Sequence, residues 1–117
     1  MHTLICCLDH FCLLCARLLF EVLDGIKAAC GEDFPIILRM SGSERDPQGN
    51  TVEDMKRLVP YLERHGVDCF EISGGTQYER CNKIIPCHGE EEFTNLKEAR
   101  AIKEITTKPV ITVGKIL

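Results

Sequence analysis

No stretch of this 117-residue chain is apolar for long enough to span a bilayer, because Asp9 and His10 split the first apolar run. No basic residues precede that run as they would in a secretion signal. Positive charge is not in excess either: 14 Lys and Arg stand against 18 Asp and Glu, a net charge of -4. With no basic stripe to collect phosphates and no span, neither nucleic acid nor a membrane is expected as a partner. Gly, Pro and Ser are not concentrated anywhere, and there is no low-complexity tract and no internal repeat beyond an alternation of short elements. Gly74-Gly75-Thr76 lacks the G-x-G-x-x-G spacing and a helix directly after it, so it is a poor dinucleotide loop. What remains is an ordinary globular composition, 44% hydrophobic and 27% charged, from which a packed core follows.

Cysteine is the one residue type in surplus. Of eight, Cys6, Cys7, Cys12 and Cys15 crowd the first fifteen positions, while Cys30, Cys69, Cys81 and Cys87 are scattered. A disulfide framework needs a secreted context that the N-terminus does not announce, so reduced thiols and a cytoplasmic location are expected. Cys12-x-x-Cys15, with Cys6, Cys7 and His10 nearby, has no second spaced pair to complete a metal site. Cysteine in an apolar run is commonly a small hydrophobe, and no metal is expected. Cys81, Cys87 and His88 share a polar loop; they read as solvated, with a ligand cluster or redox pair as the alternative.

From Arg17 the chain alternates regularly. Leu18, Leu19, Val22, Leu23 and Ile26 recur at helical spacing and stop at Gly31. Phe34-Pro35 opens a short apolar strand, Ile36 to Met40, closed by Ser41-Gly42-Ser43. Thr51, with Asp54 three residues on, caps a second helix carrying Val52, Met55, Leu58, Val59 and Leu62 and ending at His65-Gly66; Pro60 inside it predicts a kink or a shortening. A strand over 67–73 ends at Gly74-Gly75, a long irregular segment reaches about Glu91, and a third helix carries Phe93, Leu96, Ala99, Ile102 and Ile105. Lys108-Pro109 opens a last strand, Val110 to Val113, ending at Gly114. Strands joined through helices run parallel with right-handed crossovers, which makes the fold class α/β. Three such strands suit a small doubly wound sheet or an arc of an eight-stranded barrel.

In both architectures ligands bind at the carboxyl ends of the strands, here Arg39 to Gly42, Glu71 to Thr76 and Thr112 to Lys115. Arg39 shares a strand face with Ile37 and Ser41, and a buried lone charge there would cost several kcal/mol or more, so an anionic partner is expected. A ligand is one candidate and Glu71 on the neighbouring strand is another. Gly114 could let the backbone approach a phosphate or simply serve a turn, and Lys115 could add charge or simply be solvated.

Phe34-Pro35-Ile36-Ile37-Leu38-Arg39-Met40-Ser41, Gly66-Val67-Asp68-Cys69-Phe70-Glu71-Ile72-Ser73-Gly74-Gly75-Thr76 and Lys108-Pro109-Val110-Ile111-Thr112-Val113-Gly114-Lys115-Ile116 together resemble the old yellow enzyme family. Within it the likeness is nearest to the 2,4-dienoyl-CoA reductase and enoate reductase branch, and it covers about a hundred residues. The resemblance implies part of a TIM (β/α)8 barrel, its fifth to seventh strands, binding FMN at the strand ends. It implies an NAD(P)H:flavin oxidoreductase of the ene-reductase type, which passes hydride to an activated alkene such as an enoate or enoyl-CoA. It further implies that Arg39 lies against the flavin and that Gly114, with Lys115, contributes to the phosphate site. The family's catalytic residues, its eighth strand and its iron–sulfur cysteines fall in regions absent from this stretch, so the chain is expected to be inactive alone. Residues 1–16 depart from the family pattern and are expected to be helical or disordered, with the barrel piece over 17–117. The rival expectation is a noncatalytic α/β fragment or interaction module without cofactor.

Overall fold

The computed structural model describes residues 8–75, 89 and 92–116. The elements run α1 (Leu8–Cys30), β1 (Ile37–Ser41), α2 (Val52–Arg64), β2 (Cys69–Ser73), α3 (Leu96–Lys103) and β3 (Val110–Thr112). Both strand pairs are parallel and the order is β1-β2-β3, so each crossover passes through one helix. Arg39, Glu71 and Ile111 are level across the sheet, and Ser41 faces Ser73 one step nearer the carboxyl end.

Side chains alternate across a strand, so each sheet face collects every second residue. Phe70 and Ile72 on one face are fully buried against Leu23 of α1, Val59 and Leu62 of α2, and Ala99 and Ile102 of α3, with Leu38, Met40 and Val110 at the margin. All three helices therefore cover the same face. Ile37, Arg39, Ser41, Cys69, Glu71, Ser73 and Ile111 belong to the other face, which no described helix covers; Ile37 is 61% and Ile111 42% exposed. Right-handed crossovers that move in one direction across the sheet place their helices on one face, an arrangement compatible with an arc of a β/α barrel or with one half of a doubly wound sheet.

The second helix forms as its sequence predicts. Thr51 Oγ1 accepts from the Asp54 N–H while Asp54 accepts from the Thr51 N–H, closing a capping box. Pro60 does not break it, because Val59 and Leu62 on either side are fully buried and their packing outweighs the lost N–H. The first helix begins at Leu8, upstream of Arg17, so from Leu8 onward the helical alternative for the early segment holds. It ends at Gly31, whose φ of +94° suits glycine. Phe93 and Ile105, expected within the third helix, flank it instead: Phe93 precedes it at φ +55° and Ile105 follows it.

The amino ends of the strands are clamped by charge. Lys27, reaching in from α1, donates to the carbonyls of Glu32 (2.9 Å) and Phe34 (2.8 Å) and to Asp68 (3.3 Å). Asp68 also accepts from the Ile36 N–H at 3.1 Å. These bonds satisfy a lysine that burial would otherwise penalise. Among the described residues no helix is long and apolar enough to cross a membrane.

Candidate functional site

The carboxyl ends of β1, β2 and β3 carry the residues that the sequence marks as ligand-binding, and the open face supplies a charge just below them. Arg39 Nη1 donates to Glu71 Oε1 at 2.9 Å, across the register that sets the two residues side by side. The arginine therefore has the ion-pair partner that its strand position demanded. Its side chain is 62% exposed, because nothing described covers this face, and the expected burial is not found. An exposed pair of this kind is worth no more than about 1 kcal/mol, so Arg39 can exchange Glu71 for another anion at little cost.

Gly114 lies two residues beyond the end of β3 with φ +108°, a conformation open to glycine and costly for other residues. Lys115 also has positive φ, +43°, and its carbonyl accepts from the Phe93 N–H at 3.0 Å, joining this turn to the segment before α3. Arg39 is level with Ile111, two strands away from the Gly114 turn and three residues short of it. By ordinary sheet dimensions their Cα atoms are roughly 14 Å apart. The structure thus places Arg39 and the Gly114-Lys115 turn at one end of one sheet but not in mutual contact. An elongated anion could meet both; a small one could not. In kind, a cation on the open face and a glycine turn at the strand end fit a flavin bearing a phosphate, while Glu71 fits it less well, since its carboxylate competes for Arg39.

Behind these residues lies a buried polar cluster that sequence reasoning missed. Asn95, 2% exposed, immediately precedes α3. Its Oδ1 accepts from Arg45 Nη2 and its Nδ2 donates to the Val113 carbonyl, both at 2.6 Å. Arg45 also donates to the Thr94 carbonyl at 2.6 Å and lies 3.7 Å from Glu98 Oε2. A glycine from each strand end presses on the cluster. A Cβ at Gly42 would lie 2.5 Å from that of Glu98, one at Gly74 2.8 Å from Asn95 Oδ1, and one at Gly114 2.9 Å from Asn95 Nδ2. The apolar spacing runs the third helix through Phe93 and therefore past Asn95, so the sequence singles out neither Asn95 nor Arg45, whereas the helix begins at Leu96.

Thr76, Cys81, Cys87 and His88 lie outside the described residues, as do Cys6 and Cys7. Among the described residues no three His, Cys, Asp or Glu side chains converge as a metal or cluster site would require.

No protein-family model matches the chain. Curated relatives do. The chain is 37% identical over 100 residues to an NADH oxidase of Thermoanaerobacter brockii, a match covering 86% of this chain and 15% of that protein. It is 36% identical over 96 residues to an N,N-dimethylglycine/sarcosine dehydrogenase of Chromohalobacter salexigens, covering 78% and 14%. To an NADPH dehydrogenase of a Geobacillus species it is 33% identical over 73 residues, covering 60% and 20%. The chain thus spans a fifth or less of the length of these relatives. Their names point to an oxidoreductase family of the NADH:flavin oxidoreductase kind.

Proposed function

We propose that these residues form three consecutive strand-and-helix units, the fifth to seventh, of an FMN-binding (β/α)8 barrel of the old yellow enzyme family, nearest to its 2,4-dienoyl-CoA reductase and enoate reductase branch. The single observation that carries this reading is the one-sided helical cover of a parallel sheet, with Arg39 on the bare face. In a closed barrel that face becomes the interior, and its carboxyl end becomes the ligand mouth. The names of the nicotinamide-using relatives support the same direction.

FMN, when bound, supplies hydride transfer from NAD(P)H to an activated alkene such as an enoate or enoyl-CoA. The residues of this chain hold and tune it. Arg39 offers a fixed positive charge to the electron-rich edge of the flavin, favouring its anionic reduced form. Gly114 lets the backbone approach the phosphate, and Lys115 adds charge there. None of the three exchanges protons or hydride with the substrate, so these residues alone do not perform the reaction.

Expressed by itself, the 117-residue chain neither reduces alkenes nor holds FMN at micromolar concentrations. Each charge-assisted hydrogen bond contributes about 1.5–3 kcal/mol net, and association costs at least about 4 kcal/mol in lost freedom. Two partial contacts leave almost no surplus. Flavin fluorescence during an FMN titration, beside NAD(P)H consumption with an enoate, tests this directly. Micromolar binding together with turnover that Arg39→Ala abolishes would make the short chain an enzyme in its own right. A second reading, a noncatalytic α/β module, is favoured by the Arg39–Glu71 pair, which satisfies the arginine without any ligand.

A further inference from the structure

We infer that Asn95 is the positioning residue of the Gly114 turn, and through it sets the anion-binding end of the site proposed above; for the identity of the ligand, though not for the geometry, this rests on that reading. Asparagine before a helix ordinarily turns its side-chain oxygen onto the first free N–H groups. Asn95 makes no such cap bond. Its carboxamide is spent across the strand ends instead, accepting from Arg45 of the loop after β1 and donating to the Val113 carbonyl at the end of β3.

The carboxamide is held from both ends, and the backbone that surrounds it is glycine. Gly74 after β2 and Gly114 after β3 both approach Asn95 more closely than any Cβ would permit. One side chain therefore gauges the spacing of three strand ends: Arg45 reports the first, Gly74 the second, and Val113 with Gly114 the third. A neutral amide is needed for this, because one end must accept from a guanidinium and the other must donate to a carbonyl. Aspartate could keep the first bond but would set an oxygen against the Val113 carbonyl. Burial at 2% exposure leaves no room for water to replace either partner.

Two measurements on the full 117-residue chain test the inference. The first needs no ligand. In Asn95→Asp, amide hydrogen exchange at Val113 and Phe93, the groups that tie β3 and the Lys115 carbonyl into place, should accelerate at least tenfold, while Val67, on the far side of the sheet end, should be unchanged. Unaltered exchange at Val113 and Phe93 would overturn the assignment; uniform acceleration including Val67 would reduce Asn95 to a general stabiliser and overturn it as well. The second follows the Gly114 and Lys115 amide resonances while inorganic phosphate is added to the natural chain and to the neutral variant Asn95→Ser. Displacements in the natural chain that weaken at least tenfold in Asn95→Ser are expected. Equal displacements in both would contradict the positioning role. Displacements in neither would sink the phosphate reading of the Gly114 turn, while the exchange measurement still decides the role of Asn95.

Discussion

A Cβ at Gly74 would meet Asn95 Oδ1 at 2.8 Å and Arg45 Nη2 at 3.1 Å, and the backbone there requires no left-handed conformation. The obstacle to a side chain is thus the Asn95 carboxamide, which cannot swing away while bonded at both ends. Gly74→Ala should cost about 1–3 kcal/mol by chemical denaturation, and less than about 1 kcal/mol in an Asn95→Ser background. An equal cost in both backgrounds would place the strain elsewhere. Asp68 gives a second test. The Ile36 N–H holds its carboxyl below the ordinary value of 3.8, outweighing partial desolvation, with Lys27 and Lys108 assisting. A carboxyl lowered in the folded state stabilises fully above its unfolded value and loses that contribution as pH falls through the folded one. The stability gap between the natural chain and Asp68→Asn should therefore shrink below pH 3.8, by less than about 1 kcal/mol for so exposed a group. A gap independent of pH would contradict it. Arg39 was legible as a charge needing a partner because a cation in an apolar strand has few options. Asn95 was not, since nothing local distinguishes a capping asparagine from one bonded to residues 50 positions earlier and 18 later.

Among the elements, α2 shows both what local sequence decides and what it leaves open. Its start is local: Thr51 and Asp54 satisfy each other's backbone N–H groups. Thr51→Ala should lower stability by about 1 kcal/mol in urea denaturation, and a change near zero would mean the box contributes nothing. Its passage through Pro60 is not local, because the helix is retained by tertiary burial of Val59 and Leu62. The strands were legible from β-branched runs bounded by glycine, with ends displaced by one or two residues: β1 includes Ser41, and β2 starts at Cys69 where 67 was expected. Val67 and Asp68 instead lead from the His65–Gly66 turn into β2, with the Asp68 N–H donating to the Ile36 carbonyl at 2.9 Å. The third helix is shorter than its apolar spacing suggested because Phe93, at φ +55°, turns the chain outside it.

At the scale of the whole molecule, the alternation of helices and strands told the parallel sheet in advance but not which faces the helices would cover. That depends on crossovers packing to one side, which periodicity does not encode. The result leaves β1 and β3 as sheet edges among the described residues, with Ile37 and Ile111 exposed on the bare face and Leu14, Leu18 and Val22 along α1. Unpaired edges and apolar surface favour association, so the isolated chain should show concentration-dependent self-association in sedimentation, and a strictly monomeric chain would contradict it. Placing these residues in the barrel surroundings proposed for them tests that reading most directly. Residues 17–116 would replace the matching stretch of the Thermoanaerobacter brockii NADH oxidase, and bound FMN and NADH oxidation would be measured in the purified chimera and in its Arg39→Ala form. A barrel of the proposed kind predicts a chimera that binds FMN and oxidises NADH, with FMN affinity falling about tenfold or more in Arg39→Ala. A chimera that folds, as judged by circular dichroism, yet binds no FMN, or binds it equally well without Arg39, would contradict it.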